Sequence, residues 1–412
     1  MTRLTPISAE LPAAFGHRRA KPAEKDLTSP PLSITKREIK ISYEVTVITT
    51  PAQLLELIAQ AKSAEAIALD TEFFWERTYY PRLGLIQLAV SGDECHLIDP
   101  LALADLRPLG GLLADRGLVK ILHDAGQDLA ILYRATGVAA VNVFDTRLAA
   151  GFAGLPATLS LASLVHELLG IDLTKNETRS DWLRRPLSAE QLAYAAADVH
   201  HLHALRLALL QRITDPHVKA WLDEELALYN DWHCYISHGA SRYQRMRMAA
   251  NLPPAGIAIL QRLFDWREET ARVSDKPRAH IIPDASLLAI AHQPPENMAA
   301  LRQLGLSSQA MSRYGEAIIS LCAETGAPAE AETAAEKPWR LSAKEKAIYQ
   351  RLQDMIRWKS DALGIDAGLV GNSDELRAVA RFLADGAGQA ANLRQLSGWR
   401  QIFLEDFLHD HN

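Results

Sequence analysis

The pattern of hydrophobic and polar positions predicts strands that alternate with helices through the first half of the chain. The strand-like segments are 44–48, 66–73, 83–90, 94–99, 118–124 and 141–146. The helix-like segments are 51–62, 103–115 and 128–136, and helical spacing dominates from 146 to 213. The two runs that flank the Ser-Gly-Asp turn at 91–93 predict a hairpin. Helices that alternate with strands after a hairpin predict a mixed sheet flanked by helices.

The carboxyl half has a different pattern. From about 242 to 322, short helices follow one another and are separated by proline-containing turns. The small, acidic, proline-bounded segment 326–338 is typical of a linker, and a second helical block covers 339–412. The two helical blocks have similar sizes, which hints at a diverged tandem repeat. Residues 1–40 are rich in Pro, Ala, Lys and Ser without periodicity, so we expect a mobile, disordered tail there.

Composition narrows the class of protein. A chain of 412 residues with 48% hydrophobic and 23% charged residues is globular and long enough for two or three domains. It has no run of 18 apolar residues and no apolar segment typical of a secretory signal, so we expect no membrane association. The three cysteines form no CxxC pair, which favours a cytoplasmic location. With a net charge of −6, any contact with nucleic acid requires local sites or metal ions.

Two acids lie on the same face of a predicted strand. Asp70 and Glu72 are two residues apart in the segment LDTEF, so their carboxylates lie about 6–7 Å apart on one side. Two such charges repel each other unless a cation lies near them. The alternative is a solvated edge strand whose exposed acids discourage aggregation.

Three further residues extend this acidic set. Asp128 follows HDAGQ, where a strand turns into a helix. Tyr194 and Asp198 are four residues apart in an alanine-rich helix, so they share one face, although a surface pair has the same spacing. Carboxylates are the ligands that Mg²⁺ and Mn²⁺ prefer. Four acids from a strand and two helices can hold a pair of such ions about 3.5–4 Å apart, an arrangement that cleaves phosphodiesters.

These residues carry a family resemblance. The motifs DTEF, HDAGQDL and YAAAD resemble the three exonuclease motifs of the DEDD superfamily, and the tyrosine four residues before the last acid marks its DEDDy branch. The segments TYYPRLGLIQLA, FDTRLAAGF and SDWLRRPLS resemble the ribonuclease D family more specifically. This resemblance covers about 44–213. Farther on, FDWREETAR and DKPRAHIIPDASLLAIA are similar to an HRDC domain, a helical nucleic-acid-binding module.

The resemblance implies an α/β ribonuclease H-like exonuclease domain at 41–215, an HRDC domain at 240–325 and a second, diverged HRDC-like domain at 339–412. It implies 3′-to-5′ exoribonuclease activity that uses two divalent ions, Mg²⁺ or Mn²⁺, and releases nucleoside 5′-monophosphates. The expected metal ligands and water-orienting residue are Asp70, Glu72, Asp128, Asp198 and Tyr194. The expected substrates are RNA 3′ ends, tRNA precursors above all, and we expect a cytoplasmic monomer without an obligatory protein partner.

Six further residues are candidates for substrate binding: Thr71, Phe73, Trp75, His123, Gln127 and Arg184. Aromatic side chains after the first acid pair can wall the site or stack on unpaired bases, and packing of the loop is the competing explanation. His123 can approach the substrate or cap a neighbouring element. Arg184 can contact phosphates or remain a solvated surface charge.

Two alternatives to an exoribonuclease remain open. The same metal site cleaves DNA, and only contacts to the 2′-hydroxyl separate the two substrates. A non-catalytic nucleic-acid-binding protein could keep the fold, although all five motif residues are intact. A helicase role is weaker, because the sequence contains no G-x-x-x-x-G-K-[ST] phosphate loop.

Overall fold

The computed structural model describes most of the chain beyond the amino-terminal segment. The described residues are 44–92, 94–173, 180–236, 243, 246, 252–324, 341–385 and 393–410. The tail predicted at 1–40 and the linker predicted at 326–338 lie outside these residues. No helix in the described ranges is both long and apolar enough to cross a membrane.

A mixed sheet forms the centre of the first domain. Within the described residues its strands are β1 (Glu44–Ile48), β2 (Ala66–Phe74), β3 (Arg82–Ala89), β4 (Glu94–Ile98), β5 (Val119–Leu122) and β6 (Val143–Asp145). Their order is β1-β4-β3-β2-β5-β6. Strand β3 runs antiparallel to β2 and β4, whereas β1 pairs with β4, and β5 with β2 and β6, in parallel. The predicted hairpin and mixed sheet are therefore confirmed.

Helices cover both faces of this sheet. They are α1 (Pro51–Ala61), α2 (Gly110–Leu113), α3 (Gly126–Thr136), α4 (Thr146–Phe152), α5 (Leu161–Leu169), α6 (Ala189–His200), α7 (Leu202–Arg212), α8 (Pro216–Ala227) and α9 (His233–Ile236). In β2, Ala66 and Ala68 face the core under α6 and α7, and Ile67 and Leu69 face the core that includes α1 and α3. Because both faces of β2 are covered, its first half is apolar at every position.

The helix predicted at 103–115 is shorter in the structure, because residues 103–106 are not helical. Only the short helix Arg107–Leu109 and α2 form there. The Asp105 carboxylate accepts a hydrogen bond from the backbone N–H of Arg107 at 2.9 Å, which stabilises a local turn. Pro108 has no N–H to donate, so an α-helix cannot continue through it at low cost.

The first helical block has a core of its own. It contains α10 (Pro254–Val273), α11 (Arg278–Ile281), α12 (Asp284–His292), α13 (Met298–Gln303) and α14 (Ser308–Ala323). Arg267 of α10 is completely buried in it and donates hydrogen bonds to the Ile282 carbonyl at 3.0 Å and the Asp284 carboxylate at 2.6 Å. A buried guanidinium needs such partners, so it ties α10 to the turn before α12.

The last helical block shares its core with the exonuclease domain. It contains α15 (Ala343–Leu363), α16 (Ser373–Asp385) and α17 (Gly398–His409). Trp399 of α17 stacks on Trp221 of α8, with 5.4 Å between ring centroids, and its edge contacts Phe152 of α4. The Trp399 indole N–H also donates to Glu225 at 2.7 Å, and Arg400 forms an ion pair with the same carboxylate. This block is therefore fused to the first domain.

Backbone contacts strengthen the same junction. The N–H of Ala157 donates to the Asp366 carboxylate at 2.7 Å, and the N–H of Asp366 donates to the Gly151 carbonyl at 2.8 Å. Gly154 has a φ of +79°, and a Cβ at that position would lie 2.9 Å from the Gly364 carbonyl oxygen. Only glycine fits both the backbone conformation and the close approach.

We predict that Glu225→Ala lowers the free energy of unfolding by roughly 3–5 kcal/mol, because it leaves the buried Arg400 guanidinium without its carboxylate. Urea denaturation followed by tryptophan fluorescence measures the change. The matched control is Arg357→Ala, which breaks an exposed pair with Asp354 and should cost no more than about 0.5 kcal/mol. Equal effects of the two substitutions would contradict the importance of this junction.

Candidate active site

Strand β2 carries the first two acids in its second half, beyond the residues that pair with β5. Asp70 pairs with Gln87 and Glu72 with Leu85 on the antiparallel neighbour β3. The register shifts between Glu72 and Phe73, so a β-bulge directly follows the acid pair. A bulge bends the strand and re-aims its side chains, and such irregularities are frequent next to active sites.

Asp128 reaches the site from the first turn of α3. Thr71 lies between Asp70 and Glu72 on β2, so its side chain points to the opposite face of the strand. There its hydroxyl donates a hydrogen bond to the buried Asp128 carboxylate. This bond fixes the position of Asp128 relative to the acid pair, and the amino-terminal turn of a helix favours a negative charge.

Helix α6 supplies the last two motif residues. It begins with a capping box in which Ser188 and Gln191 satisfy each other's backbone N–H groups. Ala195 and Ala196 are completely buried against the sheet, so the helix backbone approaches it closely. This contact brings Tyr194 and Asp198 over the acid pair.

The motif residues meet at one cleft. Carboxylate oxygens of Asp70, Glu72 and Asp198 all lie within 4.8 Å of one another. Together with Asp128 and Tyr194, these three acids line an open cleft of about 550 Å³. A strand and two helices that are distant in sequence thus converge on one small volume.

The environment of the four carboxylates disfavours their ionised forms and raises the pKa of each acid. Burial, followed by repulsion from Asp128, Asp198 and Glu72, raises the pKa of Asp70 well above its usual range. Burial and the charges of Asp198 and Asp128 raise the pKa of Glu72 to about 9. Burial is also the main reason why the pKa of both Asp128 and Asp198 is raised to about 7. Without a counter-charge, several of these acids retain protons at neutral pH.

This donor set fits a divalent cation. Oxygen atoms from three carboxylates within 4.8 Å match the ligands that Mg²⁺ and Mn²⁺ prefer. A positive ion also favours the ionised form of each acid, and so lowers the pKa that burial and repulsion raise. Tyr194 differs from the acids, because burial and the neighbouring carboxylates raise the pKa of its phenol. Its hydroxyl therefore remains protonated at neutral pH.

The other predicted site residues divide into two groups. Thr71, Phe73, His123 and Gln127 line the cleft. Trp75 and Arg184 do not line it: both are exposed, and the Trp75 indole N–H donates to the Tyr79 carbonyl at 3.0 Å.

Both ring nitrogens of His123 contact other protein groups. Its Nδ1 lies 2.9 Å from the Thr146 hydroxyl, and its Nε2 lies 3.1 Å from the Leu159 carbonyl oxygen. Burial lowers the pKa of the imidazole. Because both ring nitrogens contact the protein, the side chain braces the segment before α5, whose first residue Leu161 lines the cleft.

Sequence reasoning missed a second buried acid that shapes this site. The Asp145 carboxylate accepts hydrogen bonds from the backbone N–H groups of Asp124 and Ala125, both at 3.0 Å, and from the Tyr229 hydroxyl at 2.7 Å. Asp124 has a φ of +61°, and the bonds to Asp145 stabilise this turn before α3. Asp145 lies in the FDT motif of the sequence, but its partner Tyr229 is 84 residues away.

A mixed sheet whose central strand and flanking helices carry these acids defines a metal-dependent 3′-to-5′ exonuclease. Residues 45–214 match a family model described as 3′-5′ exonuclease, and residues 257–322 match the HRDC domain. The protein is 45% identical over 367 residues to the ribonuclease D of Desulfotalea psychrophila, which covers 89% of this chain and 98% of the relative. It is 31% identical over 370 residues to that of Escherichia coli, covering 88% and 97%.

Solved structures agree with these matches. The crystal structure of Escherichia coli RNase D, described as an exoribonuclease involved in structured RNA processing, superposes with a TM-score of 0.75 at 29% identity. The superposition covers 90% of this chain and 98% of that one. The catalytic core of Trypanosoma brucei RRP6 shares the fold, with a TM-score of 0.53 at 22% identity and coverage of 68% and 79%.

The chain belongs to the ribonuclease D family, and it is a 3′-to-5′ exoribonuclease. The predicted ribonuclease H-like fold with a helical carboxyl half is confirmed. The assignment of residues 339–412 to a second HRDC-like domain stays a prediction.

Glu72 gives a testable pH dependence in the absence of metal. Its raised pKa means that the folded protein holds this proton more tightly than the unfolded chain. The corresponding stability is present below the ordinary glutamate pKa of about 4.3 and is lost as the pH rises to about 9. In EDTA we expect Glu72→Gln to melt close to the wild-type temperature at low pH and several degrees above it at high pH.

Thermal melts of both proteins from about pH 4.5 to pH 9 measure this difference. The matched control is Glu94→Gln, which removes an exposed glutamate of the same sheet. A melting difference between Glu72→Gln and wild type that stays constant over the whole pH range would contradict the raised pKa.

Proposed function

We propose that this exoribonuclease removes nucleoside 5′-monophosphates one at a time from the 3′ ends of tRNA precursors and other structured RNAs, using two divalent ions, Mg²⁺ or Mn²⁺. The observation that carries the proposal is the meeting of Asp70, Glu72 and Asp198 within 4.8 Å in an open cleft that Asp128 also lines. The similarity to Escherichia coli RNase D, an exoribonuclease involved in structured RNA processing, supports the substrate class.

In this proposal Asp70, Glu72, Asp128 and Asp198 hold the two ions. Such ions, when bound, supply the positive charge that makes water more acidic and stabilises the leaving oxygen. Thr71 favours the ionised form of Asp128, because its hydrogen bond to that carboxylate offsets part of the rise in pKa that burial causes.

Tyr194 has a different role from the acids. Its protonated hydroxyl hydrogen-bonds the attacking water and orients it toward phosphorus. The oxygen of that water forms a new bond to phosphorus while the bond to the 3′-oxygen breaks. The water gives up a proton, and the departing 3′-oxygen takes one up.

Six further residues complete the proposed substrate contacts. Phe73 and Gln127 lie at the cleft, where a ring and an amide can contact the terminal nucleotide. Thr71 and His123 act by positioning Asp128 and the cleft wall. The exposed Trp75 and Arg184 contact more distant bases and phosphates.

We further propose that the protein is a cytoplasmic monomer without an obligatory protein partner. Its cysteines are free thiols in the structure, which suits a reducing compartment. The HRDC domain at 240–325 and the proposed HRDC-like domain at 339–412 bind the RNA outside the catalytic cleft.

The test uses RNA labelled at the 3′ or the 5′ end, with and without EDTA. We expect the 3′ label to leave at once as a mononucleotide and 5′-labelled chains to shorten progressively, because cleavage starts at the 3′ end. EDTA should abolish both reactions. Release from the 5′ end, or cleavage in EDTA, would contradict the proposal, and faster cleavage of matched DNA would favour a DNA exonuclease.

Two variants assign the roles in the same assay. Asp70→Asn should lower turnover roughly 1,000-fold or more, since several kcal/mol of charge stabilisation are lost, while RNA binding persists. Tyr194→Phe should lower turnover by about 100-fold with unchanged metal affinity. Asp105→Asn, which alters an exposed acid paired with Arg107, is the matched control and should retain wild-type turnover.

A further inference from the structure

A second cavity lies where the exonuclease domain meets the HRDC domain. It has a volume of about 680 Å³. We call it the basic cleft, and the basic and aromatic residues of its lining are Arg77, Lys276, His280, Arg313 and Tyr314. Neither Asp nor Glu is found among the described residues that line it. A cavity with three fixed positive charges and a histidine, in a protein of net charge −6, is a local attraction for anions.

Both domains contribute to the basic cleft. Arg77 lies in the loop 75–81 that connects β2, the strand of Asp70 and Glu72, to β3. Lys276 and His280 lie in and next to the turn after α10, and Arg313 lies on α14. The floor is apolar and includes Ile281, Ile282 and Leu306.

Two acids of the HRDC domain, Glu268 and Asp275, have partners on α11 and in loop 75–81. Glu268 forms an ion pair with Arg278 at 2.6 Å and accepts a hydrogen bond from the Tyr79 hydroxyl at 3.0 Å. Asp275 accepts from the backbone N–H of Tyr79 at 3.1 Å and from that of Tyr80 at 3.4 Å. In the described part of the chain, Arg77, Lys276 and Arg313 form no ion pair. Their charges are available to a ligand.

The same contacts hold loop 75–81 against the HRDC domain. Tyr79 packs into the core of that domain, with the Arg278 guanidinium 4.5 Å from its ring centroid. The Tyr80 ring is covered by Arg134 of α3, 3.2 Å from the ring centroid. These contacts hold Tyr79 and Tyr80 in place. The loop therefore needs no further ordering to place Arg77 in the lining of the basic cleft. The cleft is therefore preorganised, which lowers the entropy cost of binding.

We propose that the basic cleft binds backbone phosphates of the RNA chain a few nucleotides upstream of the 3′ end. The proposal rests on the exonuclease function given above. Planar guanidinium groups and a lysine suit phosphodiesters, and the apolar floor next to Tyr314 suits a base or ribose. The link between this cleft and the catalytic strand β2 is structural as well as electrostatic, because loop 75–81 follows β2 and is held against the HRDC domain by the contacts of Tyr79.

The distance along the chain sets the length of RNA that is needed. Arg77 follows Glu72 by five residues, so their Cα atoms are at most about 18 Å apart. A stacked strand advances about 3.4 Å per nucleotide, so this gap corresponds to at most about five nucleotides. Short RNAs fill the catalytic cleft alone, whereas longer ones reach both clefts.

The test measures binding of 5′-labelled RNA by fluorescence anisotropy in EDTA, where the RNA stays intact. We expect Lys276→Glu/Arg313→Glu to weaken binding of a 20-nucleotide RNA at least about tenfold, because two phosphate contacts become repulsive. The slope of log K against log salt should fall by about 1.4, at roughly 0.7 for each lost cation on single-stranded RNA. The neutral variant Lys276→Gln/Arg313→Gln should show a smaller loss in the same direction.

Two controls separate this proposal from the proposed function. Arg302→Glu makes the same charge change on α13, at an exposed residue outside the cleft, and should bind RNA like wild type. With Mg²⁺ or Mn²⁺, Lys276→Glu/Arg313→Glu should degrade a trinucleotide at the wild-type rate. Wild-type RNA affinity and salt slope in the double variant would contradict RNA binding by the basic cleft. An equal loss of RNA affinity in Arg302→Glu would contradict it as well. Failure of wild-type protein to degrade the trinucleotide would count against the exonuclease function instead.

Discussion

The close placement of several partly buried carboxylates is the constraint on which the rest of this structure depends. Burial and, after it, mutual repulsion raise the pKa of Asp70, Glu72 and Asp198, so these three acids are not all ionised at neutral pH without a cation. The fold nevertheless keeps them there. A paired strand, the helix pressed on it and a network of hydrogen bonds behind them provide the required rigidity.

Small and polar residues away from the cleft supply much of this rigidity. Ala195 and Ala196 let α6 approach the sheet, and Thr71 ties Asp128 to the catalytic strand. Asp145 holds the turn before α3 through backbone N–H groups, and Tyr229 completes its hydrogen bonds from the segment after α8. The site therefore depends on contacts between segments that are far apart in the chain.

The sequence allowed prediction of the parts that follow a local period. Asp70 and Glu72 share a strand face by the period of two, and Tyr194 and Asp198 share a helix face by their spacing of four. The hairpin and the alternation of strands and helices also follow from local pattern. Convergence of these elements on one cleft required the resemblance to known exonucleases, because spacing alone does not determine tertiary contacts.

Long-range contacts could not be predicted in this way. The sequence does not reveal that Trp399 packs between α4 and α8, which fuses the last helical block to the exonuclease core. The sequence likewise does not reveal that Tyr79, in the loop after β2, packs into the HRDC core. The helix predicted at 103–115 begins later than expected for a local reason, since the turn at Asp105 precedes it and Pro108 is tolerated only in a first helical turn.

The most direct measurement of the central claim is the number of protons released when the metal-free protein binds Mn²⁺ or Mg²⁺. Calorimetric titration at pH 7 in buffers of different ionisation enthalpy gives this number. Because the pKa of Glu72 is about 9, that of Asp70 is raised well above its usual range, and those of Asp128 and Asp198 are about 7, binding should release on the order of three protons per protein. Metal binding without proton release would contradict the account, because the carboxylates would then be fully ionised before the ions arrive.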